Sequence, residues 1–141
     1  MTSQPEIHHD KLGEFIIYTT DDGHTDVHLR LIDDTVWMTQ AEMAELFDVS
    51  RSSISEHAKS IFNSGELDRT EVVRKFRKEA GQGVQGRHLD HYNLDAIMAI
   101  GFRIRGPRGA QFRRWASDVL TEYLIKGFLS LIHISEPTRR T

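Results

Sequence analysis

Two short helical segments in close succession constrain the fold of this chain more than any other feature. Residues 39–42, Thr-Gln-Ala-Glu, form a capping box, in which the Thr hydroxyl accepts a backbone N–H bond and the Glu carboxylate reaches back. Residues 48–49 then predict a tight turn, and Ser50 can cap a second helix. That helix has an apolar stripe at helical spacing, formed by Ile54, Ala58, Ile61 and Phe62. The pattern predicts two packed helices over residues 39–63.

Strand patterns precede this helical pair. Residues 14–19 and 26–32 flank a polar connection, and in the second segment apolar residues alternate with polar ones, as in a half-buried strand. We therefore predict an N-terminal β-hairpin, with residues 35–38 as a third short strand. Residues 1–12 contain few apolar side chains and predict a flexible tail.

The second half of the chain predicts another hairpin and two helices. Residues 71–92 are basic and β-prone around a Gly-rich connection at residues 81–86. A short apolar helix is predicted to stop at Gly101, and a long amphipathic helix is predicted over residues 109–126. The predicted fold class is α+β, with a single domain over residues 13–128 that ends in this long helix.

Charge is unevenly distributed along the chain. The formal net charge is −3, but residues 1–50 carry eleven acidic and two basic side chains. Residues 72–115 carry ten basic and three acidic side chains. Because a local basic field attracts phosphate groups, the charge pattern favours a nucleic-acid partner for the second half.

Composition excludes several classes of protein. No apolar run approaches the roughly 20 residues that span a bilayer, and the first residues lack a secretory signal pattern, so we expect no membrane partner. The chain has no cysteine, which excludes disulfides and thiolate chemistry and favours a reducing cytoplasm. His88 and His91 would point to opposite faces of a strand, and nucleophile and phosphate-loop motifs are missing. We therefore predict no cofactor, no metal and no enzymatic activity.

Residues 40–59 resemble the helix-turn-helix window of bacterial and phage repressors. Small Ala44 stands where two steeply crossing helices touch, although Asp48 replaces the usual turn glycine and His57 replaces an apolar residue. The basic hairpin that follows would then be the wing of a winged helix-turn-helix. A purely structural helical pair is the simpler alternative.

Four blocks extend the resemblance along most of the chain. Residues 37–67, 72–80, 92–104 and 108–128 are similar, in this order, to segments of the virulence RhuM family. This resemblance implies a bacterial or mobile-element protein that binds DNA. Residues 92–124 are also similar to the Bro/KilA-type segment of phage antirepressors, whose F-R-R-W helix corresponds to residues 112–115.

The helix-turn-helix resemblance assigns DNA contacts to the second helix and its surroundings. Arg51 and Ser52 would enter the major groove, with Arg51 reading guanine bidentately, and Gln40 would anchor the first helix to phosphate. Further base or phosphate contacts are assigned to Ser53, Ser55, Glu56 and Lys59. Phosphate contacts outside the helical pair are assigned to Arg74, Lys75, Arg77, Lys78, Arg113 and Arg114.

The predicted function is sequence-specific binding of double-stranded DNA, with transcriptional regulation of a mobile element or virulence locus. The sequence permits a homodimer but does not predict the oligomeric state. The alternative is a protein-interaction module of toxin–antitoxin or antirepressor type, in which the helical pair docks a protein.

The last residues form a separate segment. Residues 129–141 resemble the translation of a transposase adapter from sequencing libraries, and they begin just after a helix stop at Lys126 and Gly127. We expect a non-native tail on a truncated open reading frame of metagenomic origin. A genuine strand-like tail is the alternative.

Overall fold

Six antiparallel strands form one sheet, into which the N-terminal strands and the basic hairpin both enter. A computed structural model describes residues 6–78 and 87–125. The strands are β1 (Ile7–Asp10), β2 (Gly13–Thr19), β3 (Asp26–Ile32), β4 (Thr35–Met38), β5 (Val73–Lys78) and β6 (Arg87–Asn93). Their order across the sheet is β1-β2-β3-β4-β6-β5, so β4 joins the two halves of the chain through β6.

The helices follow the strands in two groups. They are α1 (Gln40–Phe47), α2 (Arg51–Asn63), α3 (Arg69–Val72), α4 (Leu94–Arg103) and α5 (Pro107–Trp115). The last of these continues into a π-helical turn, Ala116–Leu120, and then into helical residues 121–125. The predicted α+β class is confirmed.

The predicted N-terminal hairpin is confirmed as β2 and β3, with Tyr18 opposite Val27 and Ile16 opposite Leu29. The alternation in β3 has the expected result, because Val27 and Leu29 are buried while His28 between them is exposed. The segment predicted as a flexible tail contains β1, which adds a fourth N-terminal strand to the three that the sequence predicts.

The helices cover one face of the sheet, and the hydrophobic core lies between that face and the helices. Tyr18 of β2 meets Phe112 of α5 edge to face, with ring centroids 5.3 Å apart. The largest fully buried side chains of this core come from strands and helices alike: Ile16, Leu29, Met38, Met43, Leu46, Ile54, Ile61, Ile97, Ile100, Phe112 and Leu120.

The opposite face of the sheet carries stacked rings and arginines. Phe15 stacks on His28 at 4.6 Å, and the Arg74 guanidinium lies 4.9 Å from the ring centroid of Trp37. The Trp37 indole donates a hydrogen bond to the Ile32 carbonyl and is almost completely buried. This face also holds a cavity lined in part by Asp10, His28 and Arg30.

The prediction that α4 stops at Gly101 is wrong. The helix runs on to Arg103, and the backbone N–H of Ile104 bonds the carbonyl of Gly101. The glycine serves instead as a point of close approach between helices.

Several sequence predictions lie outside the described residues. These are the Gly-rich connection at residues 81–86, the helix stop at Gly127 and the adapter-like residues 129–141. Within the described ranges, no helix has the length and apolar character needed to cross a membrane. The same ranges hold no group of three or more His, Asp or Glu residues arranged to bind a metal ion.

Candidate nucleic-acid interface

The start of α1 is held by the capping box that the sequence predicts. The Thr39 hydroxyl accepts a bond from the Glu42 backbone N–H at 3.1 Å, and Glu42 Oε1 accepts one from the Thr39 N–H at 2.8 Å. These two bonds satisfy donors that would otherwise be left open at the helix start. The cap fixes the residue at which α1 begins.

The predicted turn between the helices is confirmed, and its conformation explains the aspartate in the usual glycine position. Asp48 has φ 59 and ψ 50, a left-handed conformation that Asp tolerates better than most residues. Both the Asp48 and Val49 N–H groups bond the Ala44 carbonyl, and Ser50 then caps α2 by accepting a bond from Ser53 N–H at 3.1 Å. Two residues thus separate Asp48 from the first residue of α2.

Helix α2 has an apolar side in the core and a polar side in solvent. Ile54, Ala58 and Ile61 are buried, and the helix packs on α1 and α4. The predicted contact residues follow the opposite pattern, with Ser53 and Ser55 half-buried and four residues exposed: Arg51, Ser52, Glu56 and Lys59. Neither Arg51 nor Lys59 forms an ion pair with any residue that the structure describes. The polar side is therefore open to a partner.

Gln40 is already engaged within the protein. Its side-chain Nε2 donates a hydrogen bond of 2.7 Å to the hydroxyl of Tyr92 in β6. The residue predicted to anchor α1 on phosphate therefore also ties that helix to the sheet.

The basic strand β5 is divided between the two faces of the sheet. Lys75 lies opposite Asp90, on the face where Tyr92 packs beneath α2. Arg77 lines a cavity together with His28, Arg30 and His91. Arg74 lies opposite His91 and over Trp37, on the other face, where it pairs with Asp33 at 2.8 Å. Arg74 and Lys75 of β5 therefore lie on opposite faces of the sheet.

Asp90 binds two cations at once. Its Oδ1 accepts a bond from Lys75 Nζ at 2.7 Å, and its Oδ2 accepts one from Arg69 Nη2 at 2.8 Å. Hydrogen bonds from Lys75 and then Arg69 hold the pKa of Asp90 below its ordinary value despite partial burial. The bond to Asp90 also raises the pKa of Arg69.

A second basic residue lies on the other side of α2. Arg103, near the end of α4, donates through Nη1 to the Ser60 hydroxyl at 3.1 Å and through Nη2 to Glu66 at 3.2 Å. Together with Arg69, it places a guanidinium on each side of the polar surface of α2.

Arg113 and Arg114 have different environments although they are adjacent. Arg113 donates to the Gly101 carbonyl at 2.9 Å, and its guanidinium lies 5.5 Å from the ring centroid of Phe102. Arg114 is exposed and forms no ion pair with a described residue. The structure therefore gives Arg113 an internal role and leaves Arg114 open to solvent.

Arg69, Asp90 and Arg103 were not among the contact residues predicted from the sequence. The first two are 21 residues apart in the chain and meet only because β5 and β6 pair. The one local signal was Asp68, whose side chain caps α3 and so begins the helix at Arg69.

Comparison with known proteins finds a match to a protein-family model in the second half of the chain. No curated protein and no solved structure matches. Residues 71–131 match the model described as "Virulence protein RhuM family". This segment contains β5, β6, α4 and α5, whereas α1 and α2 precede it. Residues 71–131 are thus similar to the virulence protein RhuM family, the same family that the sequence blocks resemble.

Proposed function

We propose that this protein binds double-stranded DNA sequence-specifically and without enzymatic activity, with α2 as the helix that enters the major groove. The observation that carries the proposal is the construction of the α1–α2 pair. The turn residue Asp48 is left-handed, both helices are capped, and α2 presents a polar side that is free of the core. A helix-turn-helix places the first turn of its second helix against base edges, and Arg51 and Ser52 occupy that turn.

The charges near α2 support the same partner. Lys75 lies on the α2 side of the sheet, and its positive charge suits contacts with phosphates, which supply affinity without reading sequence. Arg77 and Lys78 remain candidate phosphate contacts. Arg114 would extend this surface. Arg74 and Arg113 are not assigned phosphate contacts, because Arg74 lies on the far face of the sheet and Arg113 is bound to Gly101.

We assign the protein to the control of transcription at a mobile-element or virulence locus. The support is the match to a family whose name includes virulence, together with the DNA-binding surface proposed for α2. A homodimer would fit a palindromic operator, since the spacing of half-sites mirrors two-fold symmetry.

One observation favours the second candidate, a protein-interaction module. Phe102 at the end of α4 is 76% exposed, and a large exposed ring is common where one protein docks on another. Dependence on salt separates the two candidates. Binding to DNA weakens steeply as salt rises because counterions are released, whereas an apolar protein contact responds much less.

The test is a selection from random-sequence duplex DNA with the full chain, followed by affinity measurements on the selected site and on random duplex. Arg51→Ala should cost about 1–3 kcal/mol on the selected site and much less on random DNA. Arg74→Ala is the matched control, because an exposed arginine on the far face should leave the ratio of the two affinities unchanged. Failure to recover any motif, or an unchanged ratio for Arg51→Ala, would reject sequence-specific binding by α2.

A further inference from the structure

Arg69, Lys75 and Asp90 form a cluster in which two cations share one carboxylate. Each carboxylate oxygen accepts from a different cation, at 2.7 Å and 2.8 Å. The three charges leave a net surplus of one positive charge. Arg69 and Lys75 are therefore arranged to donate to two oxygens of one anion, and the Asp90 carboxylate supplies those two oxygens in this structure.

The cluster lies beside the polar side of α2. The Arg69 guanidinium is 5.9 Å from the ring centroid of Phe62, and this ring stacks on Tyr92 of the sheet. Phe62 follows Lys59 by three residues and Ser55 by seven, so it lies where the apolar stripe of α2 borders the polar side. The cluster therefore flanks the part of α2 to which we assign DNA contacts.

The open character of the cluster suits an exchangeable partner. The side chains of Arg69 and Lys75 are 50% and 69% exposed, against 32% for Asp90 between them. Exposed ion pairs of this kind contribute little to folding, so the cations can change partner at small cost.

We propose that Arg69 and Lys75 together bind one phosphate of the DNA backbone beside α2, and that Asp90 occupies the position of that phosphate in the free protein. This inference rests on the proposed function. Two phosphate oxygens can accept from the same two donors, an Arg N–H and the Lys ammonium. Asp90 then acts as an internal competitor that lowers non-specific affinity for DNA.

The structure offers a matched pair on the far face of the sheet. Arg74 is also 50% exposed and also bonds a carboxylate, Asp33, at 2.8 Å. Asp90→Asn and Asp33→Asn change the net charge by the same amount, and only the first acts on the α2 side. Arg69→Gln and Arg74→Gln form the corresponding matched pair, in which each substitution removes one positive charge.

The experiment measures binding of the full chain to random duplex DNA over a series of salt concentrations. Asp90→Asn should tighten binding about two- to fivefold relative to Asp33→Asn, the factor expected for loss of a weak competing ion pair. Arg69→Gln and Lys75→Gln should each weaken binding and lower the salt slope by about one unit, whereas Arg74→Gln should leave the slope unchanged. Thermal unfolding checks each variant, and Lys75→Gln decides the outcome if Arg69→Gln is unstable through loss of its contact with Phe62.

The results separate this inference from the function on which it rests. Equal effects of Asp90→Asn and Asp33→Asn, or unchanged slopes for Arg69→Gln and Lys75→Gln, would overturn the phosphate site while wild-type binding to DNA stands. A wild-type chain that binds no duplex at any salt concentration would overturn both proposals.

Discussion

The ring of Phe47 in α1 lies against the backbone of Gly101 in α4, so closely that a Cβ atom at position 101 would be 2.7 Å from Phe47 Cζ. Phe47 also meets Phe112 of α5 edge to face, and it is almost fully buried. The ring therefore touches two further helices, and the missing side chain at Gly101 is what admits it.

Gly101→Ala should therefore destabilise the fold. We expect a loss of about 1–3 kcal/mol in the free energy of unfolding, the usual cost of adding a methyl group to a packed core. Urea unfolding measures the loss. Phe47→Leu in the same chain should recover part of it, because the shorter side chain removes the clash. Strictly additive effects of the two substitutions would show that the ring and the glycine do not interact.

The turn between α1 and α2 offers a second prediction. Because Asp48 has a left-handed backbone, Asp48→Ala should lower the free energy of unfolding by about 1 kcal/mol. Asp48→Gly should be neutral or stabilising, since glycine adopts this conformation without steric cost. Chemical denaturation of both variants measures the difference. Equal stability of the Ala and Gly variants would mean that the turn relaxes to another conformation.

Substitutions at the two neighbouring arginines of α5 should differ in their effect on the free energy of unfolding. Arg113→Gln should reduce stability by about 1–2 kcal/mol, because the guanidinium loses its bond to the Gly101 carbonyl and its contact with Phe102. Arg114→Gln is exposed and should remain within about 0.5 kcal/mol of the wild type. Thermal unfolding of both variants tests this, and a larger loss for Arg114→Gln would reverse the assignment.

Asp10 should make the stability of the sheet edge depend on acid pH. Both of its oxygens accept bonds from Arg30, at 2.9 Å and 3.0 Å, and the Arg30 side chain lowers its pKa from 3.8 to about 2. A carboxyl group with a lowered pKa stabilises the native state above its unfolded pKa and loses that contribution as pH falls through the folded value. The contribution is thus present above pH 4 and disappears towards pH 2.

Asp10→Asn should therefore be less stable than the wild type at neutral pH, by under about 1 kcal/mol because the pair contacts solvent. The difference should shrink between pH 4 and pH 2. Unfolding measured across this range tests the prediction, with Asp118→Asn on the exposed π-helical turn as the control. A difference for Asp10→Asn that does not change with pH would mean that the ion pair is not its source.

Local chemistry was sufficient to predict much of the fold. The Thr39 capping box, the left-handed turn at Asp48 and the alternation in β3 all appear where the sequence placed them. Each depends on hydrogen bonds or side-chain periodicity within a few residues, so neighbours along the chain carry the information. For the same reason the polar side of α2, from Arg51 to Lys59, could be assigned before the structure was known.

The contacts between distant segments could not be predicted in this way. Gly101 resembles a helix stop until the Phe47 ring is known to lie against it. The basic run of β5 resembles one phosphate-binding surface until its pairing with β6 places Arg74 and Lys75 on opposite faces. Asp90 gains two cationic partners only when β5, β6 and α3 come together. These outcomes depend on strand register and helix packing across many residues, and only the tertiary structure decides which side chains then meet.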